Sequence, residues 1–358
     1  MNIAVIFGGK SAEFEVSLVS ATNIINTMDR ERFTPLLIGV DKQGEWFYNA
    51  QYANQSVDLT ARDYFADAEP VCLTFPGGTL VSRRTHQTVA RFEAAFPIIH
   101  GTYGEDGTLQ GILKANDIPY VGPDVLGSAI AMDKDIAKRL FAAAGIPVAK
   151  SYTLYKKHAE AYPYGEVADS LGLPLFVKPA NAGSSVGVSK VTSEAEYRAA
   201  LEEAFRYDSK ILVEEAVVGK ELECAVLGNE EKQASGVGEI VATKDFYSYD
   251  AKYISSTGAN LRIPADIPAD TAERIRTLAV QACDAIHCEG MARVDFLLST
   301  DGHLVLNEIN TLPGFTSISM YPKLWEQAGL PEKELITELI RLAMRRHERD
   351  SALSIARK

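Results

Sequence analysis

The sequence predicts a chain of mixed class: an α/β unit with a parallel sheet, followed by α+β units built on antiparallel sheets. Three observations carry this prediction. The 358 residues exceed the size at which one hydrophobic core stops growing, which predicts two or three packed units. Near the start, apolar strand-like runs alternate with helical patterns, as in α/β units. From Leu173 onward the pattern changes to strand pairs with tight turns and interspersed helices.

Asn2 to Phe7 reads as a buried strand, Val16 to Met28 as a helix, "FTPLLIGVD" as a second strand and "FEAAFPIIHG" as a third. This unit ends at "YVGPD", so the first domain spans 1–124. Within it, the stretch from Arg62 to Thr88 mixes polar and turn residues and reads as a surface insertion. "DKDIAKRLFAAAG" reads as a helix closed by Gly145 and then Pro147. The paired segments that follow are "LPLFVKPA" with "GVSKV", "ILVEEAV" with "KELECAVLG", and "MARVDFLLS" with "HLVLNEIN". Helices are expected over Glu194 to Phe205 and Ala272 to Ile286. Domain limits of 125–213 and 214–358 complete the division.

Bulk properties narrow the function classes. A net charge of −12, without a Lys/Arg-rich block or basic stripe, disfavours nucleic acid and anionic lipid as partners. The N-terminal "MNIAVIFGGK" has no basic leader and no small-residue cleavage site, and no apolar run is long enough for a bilayer. The expected location is cytoplasmic, with no membrane partner. Cys72, Cys224, Cys283 and Cys288 form no CxxC pair and are expected in the core, and the six His are too scattered for a zinc site.

The most informative stretch is "NEINTLPGFTSISMYP", Asn307 to Pro322, where an apolar strand runs into a carboxylate, two amides and a Pro-Gly turn. If Asp301 and Gly302 form a two-residue hairpin turn, Asp295 faces Glu308 and Arg293 faces Asn310, all four on one face. Directly opposed carboxylates repel unless something neutralises them. A divalent cation would do so, and Asp295, Glu308 and Asn310 are hard oxygen donors that suit Mg²⁺. The competing reading is a polar face turned to solvent.

Phosphate-binding candidates are fewer. "GGKS" fails the P-loop pattern because Ala4 occupies the leading glycine position, and no GxGxxG is present. "VKPANAGSSVGVSKV" places Lys178 at a strand end before a loop of small residues, which permits close approach of backbone amides to phosphate. A flexible hairpin tip has the same composition. Lys134 in "MDKD" is either a second phosphate contact or a solvated lysine.

Taken together, "FGGKSAEFEVS", "HGTYGEDG", "VGPDVLGSAIAMDKDIAK", "FVKPANAGSSVGVSKV", "DFYSYDAKY", "MARVDF" and "NEINTLPGFTSISMYP" resemble the D-alanine–D-alanine ligases of the ATP-grasp superfamily, in order, from Asn2 to about Gly329. The resemblance implies a three-domain ATP-grasp fold in which two antiparallel sheets clasp ATP. It implies that Lys134 and Lys178 contact phosphate, that Ser184, Ser185, Val186 and Gly187 lie in a mobile loop over the nucleotide, that Glu214, Glu215, Ala216 and Val217 face adenine, and that Glu221 binds ribose. Two Mg²⁺, or Mn²⁺, would be held by Asp295, Glu308 and Asn310.

The family's reaction transfers the γ-phosphoryl group of ATP to one D-alanine, and the amine of a second D-alanine then attacks the acyl phosphate. By resemblance, Arg293 and the amide of Gly314 stabilise the oxyanion. Glu13 receives the first ammonium in a network with Ser184 and Tyr253, and Lys252 and Tyr253 lie on a closing loop. His100 is implied on the substrate side, with Ser319 and Met320 at the second carboxylate. A homodimer is also implied. Phe14 departs from the family, which often carries His or another polar residue there, and this places any contact from that position in doubt.

Two rivals remain. The nearer is an amino-acid ligase of the same superfamily with another substrate, including a D-alanine–D-lactate ligase; Tyr253 speaks against the latter, whose relatives commonly carry Phe or His there. A nucleotide-regulated binding module without turnover would be expected to have lost some of Glu13, Lys178, Arg293, Asp295, Glu308 or Asn310, and none is lost.

Overall fold

The computed structural model describes residues 1–52, 55–61, 63–242 and 259–354. The first unit begins with β1 (Asn2–Gly8), α1 (Phe14–Thr27) and β2 (Thr34–Val40). β1 is apolar throughout because it is central: it pairs in parallel with β2 on one side and with β7 (Ala94–Pro97) on the other. Between β2 and β7 run β3 (Trp46–Tyr48), β4 (Glu69–Thr74), β5 (Gly78–Ser82) and β6 (Thr88–Phe92). They extend the sheet antiparallel in the order β6-β5-β4-β3-β2-β1-β7. The expected surface insertion is therefore largely an extension of the sheet. Its strands are short, half-buried and interrupted by Pro76 and Gly77, so no clean alternation marks them in sequence.

After α2 (Thr108–Ala115) come α3 (Val125–Met132) and α4 (Lys134–Ala143), the latter capped by Asp133, whose side chain accepts from the Ile136 amide. β8 (Ser151–Tyr155), α5 (Tyr164–Leu171), β9 (Leu175–Pro179), β10 (Ser189–Val191), α6 (Glu194–Ala204) and β11 (Lys210–Glu215) build a four-stranded sheet, β10-β9-β11-β8. Leu175, Val177, Ile211 and Val213 face the helices of this unit and form its core. Strand alternation sends Lys178 and Glu214 to the opposite face.

β12 (Gly219–Gly228), β13 (Gln233–Ala242), β14 (Ala259–Arg262), α7 (Ala269–Ala285), β15 (Gly290–Ser299) and β16 (Leu304–Asn310) supply a second antiparallel sheet, β14-β13-β12-β15-β16, followed by α8 (Met320–Gln327) and α9 (Glu332–Ser351). Here one expectation fails. "ILVEEAV" and "KELECAVLG" are consecutive but unpaired, because β11 belongs to one sheet and β12 to the other. Residues 216–218 are the crossing, and strand patterning alone does not distinguish a crossing from a hairpin turn.

The ends of the chain share one core. Ile3, Val5, Phe7, Ile24 and Ile25 pack in the same cluster as Phe315, Tyr321, Leu335, Ile336, Leu339 and Ile340. Buried Arg346 of α9 reinforces this by donating to the carbonyls of Tyr120, at 2.8 Å, and Gly122 while stacking on the Tyr120 ring. Of the cysteines, Cys224, Cys283 and Cys288 are buried as expected, whereas Cys72 is exposed on β4. No helix among the described residues is long and apolar enough to cross a membrane.

Candidate active site

A cleft where the three units meet is lined by Glu13, Glu105, Ser184, Glu223, Arg293, Glu308, Asn310, Gly314, Ser319 and Met320. Glu13 begins α1. Its backbone amide donates to Ser11 Oγ at 3.1 Å, and that hydroxyl donates to the carbonyl of His100 at 2.6 Å. Its carboxylate accepts a hydrogen bond from Ser184 Oγ in the loop between β9 and β10. Ser184 and Ser185 both have positive φ, 50° and 60°, a conformation that costs an L-residue about 1–2 kcal/mol. Two glycines make room for the carboxylate: a Cβ on Gly101 would lie 2.6 Å from Glu13 Oε2, and one on Gly183 would lie 2.9 Å away.

The β15–β16 hairpin has the register expected at the site, with Arg293 opposite Asn310 and Asp295 opposite Glu308. The turn differs. Ser299 and His303 close a three-residue loop, with Gly302 at φ 88°, and a bulge beside Phe296 restores the register. Sheet pairing also sets Glu223 of β12 beside Asp295, so Glu223, Asp295 and Glu308 form a row across three strands. The repulsion expected from such a row is relieved from within the protein. Arg293 grips Asp295 with two hydrogen bonds, of 2.8 and 2.7 Å, and pairs with Glu223 at 3.0 Å, while Lys134 pairs with Glu308 at 3.3 Å.

Asn310 Nδ2 donates to Asp295 at 2.9 Å. Among the described residues no group of three His, Cys, Asp or Glu forms a ready-made cage. The donor set nevertheless fits a hard cation whose remaining ligands come from phosphate and water: two carboxylates in register and one amide on one strand face.

Other expected residues fall as follows. Lys178 does not project into the cleft; its ammonium lies 2.7 Å from Glu214 Oε2. Glu214 lies in β11, and Glu215, the last residue of that strand, accepts from the Lys150 amide at 2.8 Å. Ala216 donates to the Pro174 carbonyl at 3.2 Å, so the segment leading to Val217 lies along the crossing between the sheets. Glu221 lies two residues before Glu223 on β12. Val186 donates to the Gly183 carbonyl at 3.1 Å, and Gly187 closes the loop at φ 70°. Lys252 and Tyr253 lie outside the described residues.

Ser319 Oγ accepts from the Thr316 amide at 2.9 Å, and Met320 opens α8 with its side chain against Gly238. Among the described residues the Gly314 amide has no acceptor. His100 does not line the cleft. It is buried, its Nδ1 donates to the Leu312 carbonyl at 2.9 Å and its Nε2 accepts from Ser20 at 2.9 Å, so its role is to hold the loop before Gly314. Burial pushes its pKa down and keeps the ring neutral. Phe14 turns away from the cleft to pack on Phe65 beneath Lys42.

Three residues escaped sequence reasoning. Glu105 of "HGTYGEDG" accepts from the amides of Gly101, at 2.9 Å, and Leu312, at 3.1 Å. Removal from water and the Glu13 carboxylate push its pKa up to about 8. Glu223 was signalled only by its alternation with Glu221. Lys138, one helical turn after Lys134, reaches Glu214 at 2.7 Å.

The family described as D-ala D-ala ligase N-terminus matches residues 2–123, and the one described as D-ala D-ala ligase C-terminus matches residues 140–341. The D-alanine–D-alanine ligase A of Chromobacterium violaceum is 53% identical over 99% of this chain and 98% of its own length. The Escherichia coli K12 enzyme of the same name is 49% identical, with coverage of 99% and 98%. Among solved structures, a D-alanine–D-alanine ligase from Coxiella burnetii superposes with a TM-score of 0.87 at 38% identity, covering 98% of this chain and 96% of that one. The VanG D-Ala:D-Ser ligase of Enterococcus faecalis superposes with 0.85 at 38% identity, with coverage of 96% and 99%.

Proposed function

The chain belongs to the D-alanine–D-alanine ligase family, and from that premise we propose how its own residues divide the work. It is a ligase of ATP-grasp fold that forms D-alanyl-D-alanine for peptidoglycan precursor synthesis. The convergence of Glu13, Arg293, Glu308, Asn310 and Gly314 on one cleft carries the proposal.

Glu13, oriented by Ser184, receives the ammonium of the first D-alanine and turns its carboxylate toward the nucleotide. That carboxylate takes the γ-phosphoryl group of ATP, with ADP leaving, to give a D-alanyl phosphate. Lys134 and Lys178 hold the phosphates, and the segment Glu214–Val217 with Glu221 holds the nucleoside. Asp295, Glu308 and Asn310 would hold two Mg²⁺, or Mn²⁺, which supply charge neutralisation for phosphoryl transfer when bound.

The second D-alanine is held by its carboxylate at Ser319 and the first amide of α8. Its amine loses a proton and attacks the acyl carbon. Arg293 and the Gly314 amide stabilise the oxyanion, which collapses with loss of phosphate. Ser185, Val186, Gly187, Lys252 and Tyr253 cover the site from their loops. The domains divide at 1–124, 125–213 and 214–358, and the enzyme works as a cytoplasmic homodimer.

Phosphate release from ATP, measured with D-alanine, L-alanine, D-serine and D-lactate singly and paired, tests the acceptor. D-alanine alone is expected to support full turnover, and a requirement for D-serine or D-lactate would overturn the reading. With D-alanine labelled with ¹⁸O in its carboxylate, one labelled oxygen is expected in the released phosphate. Unlabelled phosphate would exclude the acyl phosphate.

A further inference from the structure

Glu214 is shared between two lysines. Its Oε2 lies 2.7 Å from Lys178 Nζ and its Oε1 lies 2.7 Å from Lys138 Nζ, and all three residues are buried. The three come from different elements, Lys138 from α4, Lys178 from β9 and Glu214 from β11. Lys138 stands one turn after Lys134, and the two diverge. Lys134 reaches Glu308 and the Ala182 carbonyl, at 3.3 and 2.7 Å, whereas Lys138 sits behind Glu214.

We propose that Lys138 is a positioning residue for the nucleotide, keeping Glu214 compensated so that Lys178 can leave it for a phosphate. The inference rests on the reading that this cleft binds ATP. One carboxylate between two ammonium groups leaves one positive charge in surplus, which an incoming anion can use. Were Lys178 the sole partner of Glu214, its departure would strand a buried carboxylate, a change that ranks among the costliest in a protein interior. With Lys138 in place, the carboxylate exchanges a shared ion pair for an exclusive one. The electrostatics agree. Burial alone would raise the Glu214 pKa, but the two ammonium groups outweigh it and hold the carboxyl below its ordinary value. Burial pushes Lys138 the other way, below its ordinary range, despite Glu214.

The test is calorimetric binding of the β,γ-imido analogue of ATP with Mg²⁺, and of adenosine, to wild type, Lys138→Met and Lys138→Arg. Wild type must bind the analogue, and failure there would count against the nucleotide reading itself. Given that binding, Lys138→Met is expected to lose about tenfold or more in analogue affinity, with adenosine affinity unchanged. Lys138→Arg, which keeps a positive charge beside Glu214, is expected to stay within about threefold of wild type. In turnover assays the KM for ATP should rise in Lys138→Met and recover in Lys138→Arg while kcat stays level. An analogue affinity in Lys138→Met equal to wild type, an equal loss for adenosine, or an arginine variant no better than the methionine one would each overturn the proposal. Should Lys138→Met not fold, Lys138→Gln takes its place and is judged by the same outcomes.

Discussion

Ser184 and Glu13, 171 residues apart in sequence, are joined by a hydrogen bond across the cleft. One belongs to the loop after β9 and the other to the start of α1, so this contact ties the nucleotide loop to the amino-acid subsite. Glu13→Gln is expected to raise the KM for the first D-alanine while leaving the KM for ATP unchanged, since it removes the charge facing the ammonium. Ser184→Ala should reduce kcat/KM for D-alanine by about tenfold, the value of a hydrogen bond to a charged group. Initial-rate kinetics with each substrate varied separately check both. A change confined to ATP in either variant would break the assignment.

Glu308→Gln should lower turnover on the order of a hundredfold or more, because it removes a charged donor from the strand that faces the phosphates. Its effect on the stability of the ligand-free protein should be small. Glu308 already pairs with Lys134, and Asp295 is held by Arg293, so no bare repulsion awaits relief. Thermal unfolding without metal or nucleotide, set beside Mg²⁺-dependent rates, separates the two effects.

Glu105 gives a pH signature. Its carboxyl rises to about 8 in the fold from an ordinary value of 4.5, so folding favours the protonated form. The stabilisation it contributes is complete below about pH 4.5 and disappears as pH rises through 8. Glu105→Gln cannot accept from both Gly101 and Leu312, so it should be less stable than wild type at low pH, with a shallower decline between pH 5 and 8. Parallel slopes in the two melting series would remove Glu105 as the titrating group.

His100→Ala removes the contacts to Leu312 and Ser20 and should cost about 1–3 kcal/mol of stability. Because the same loop presents the Gly314 amide, kcat should fall as well, with the KM for ATP unaffected. His100→Asn, which keeps a donor near the Leu312 carbonyl, should recover part of both losses. An alanine variant with normal kcat would reduce His100 to packing alone.

Where the sequence was legible, the reason was periodicity. β1, β2 and β7 are apolar because this part of the sheet is covered on both faces, alternate residues entering two different clusters, and Gly145 with Pro147 marks the end of α4. The hairpin shows a subtler case. A two-residue turn was expected and a three-residue loop is found, but the bulge in β16 adds back the missing step, so Asp295 still meets Glu308. What was illegible depended on partners distant in sequence. Nothing in "KDIAKRL" shows that Lys138 meets a carboxylate from β11, and nothing in "GEDG" shows that Glu105 stands beside Glu13 at the cleft. β11 and β12 look like a hairpin because a crossing between sheets uses the same residue types as a turn.

The shared core of the two chain ends has a consequence for synthesis. α9 contacts α1 and β7, and Leu335, Ile336, Leu339 and Ile340 complete the cluster begun by Ile3, Val5 and Phe7. On the ribosome, β1 and α1 emerge first, yet the residues that cover them are translated after every strand of all three sheets. The N-terminal unit therefore waits with an apolar face exposed while the middle of the chain is made, an interval in which a nascent chain is prone to aggregate or to need a chaperone. Arg346 supplies one of the last ties to be made, through the carbonyls of Tyr120 and Gly122, between the first unit and the final helix.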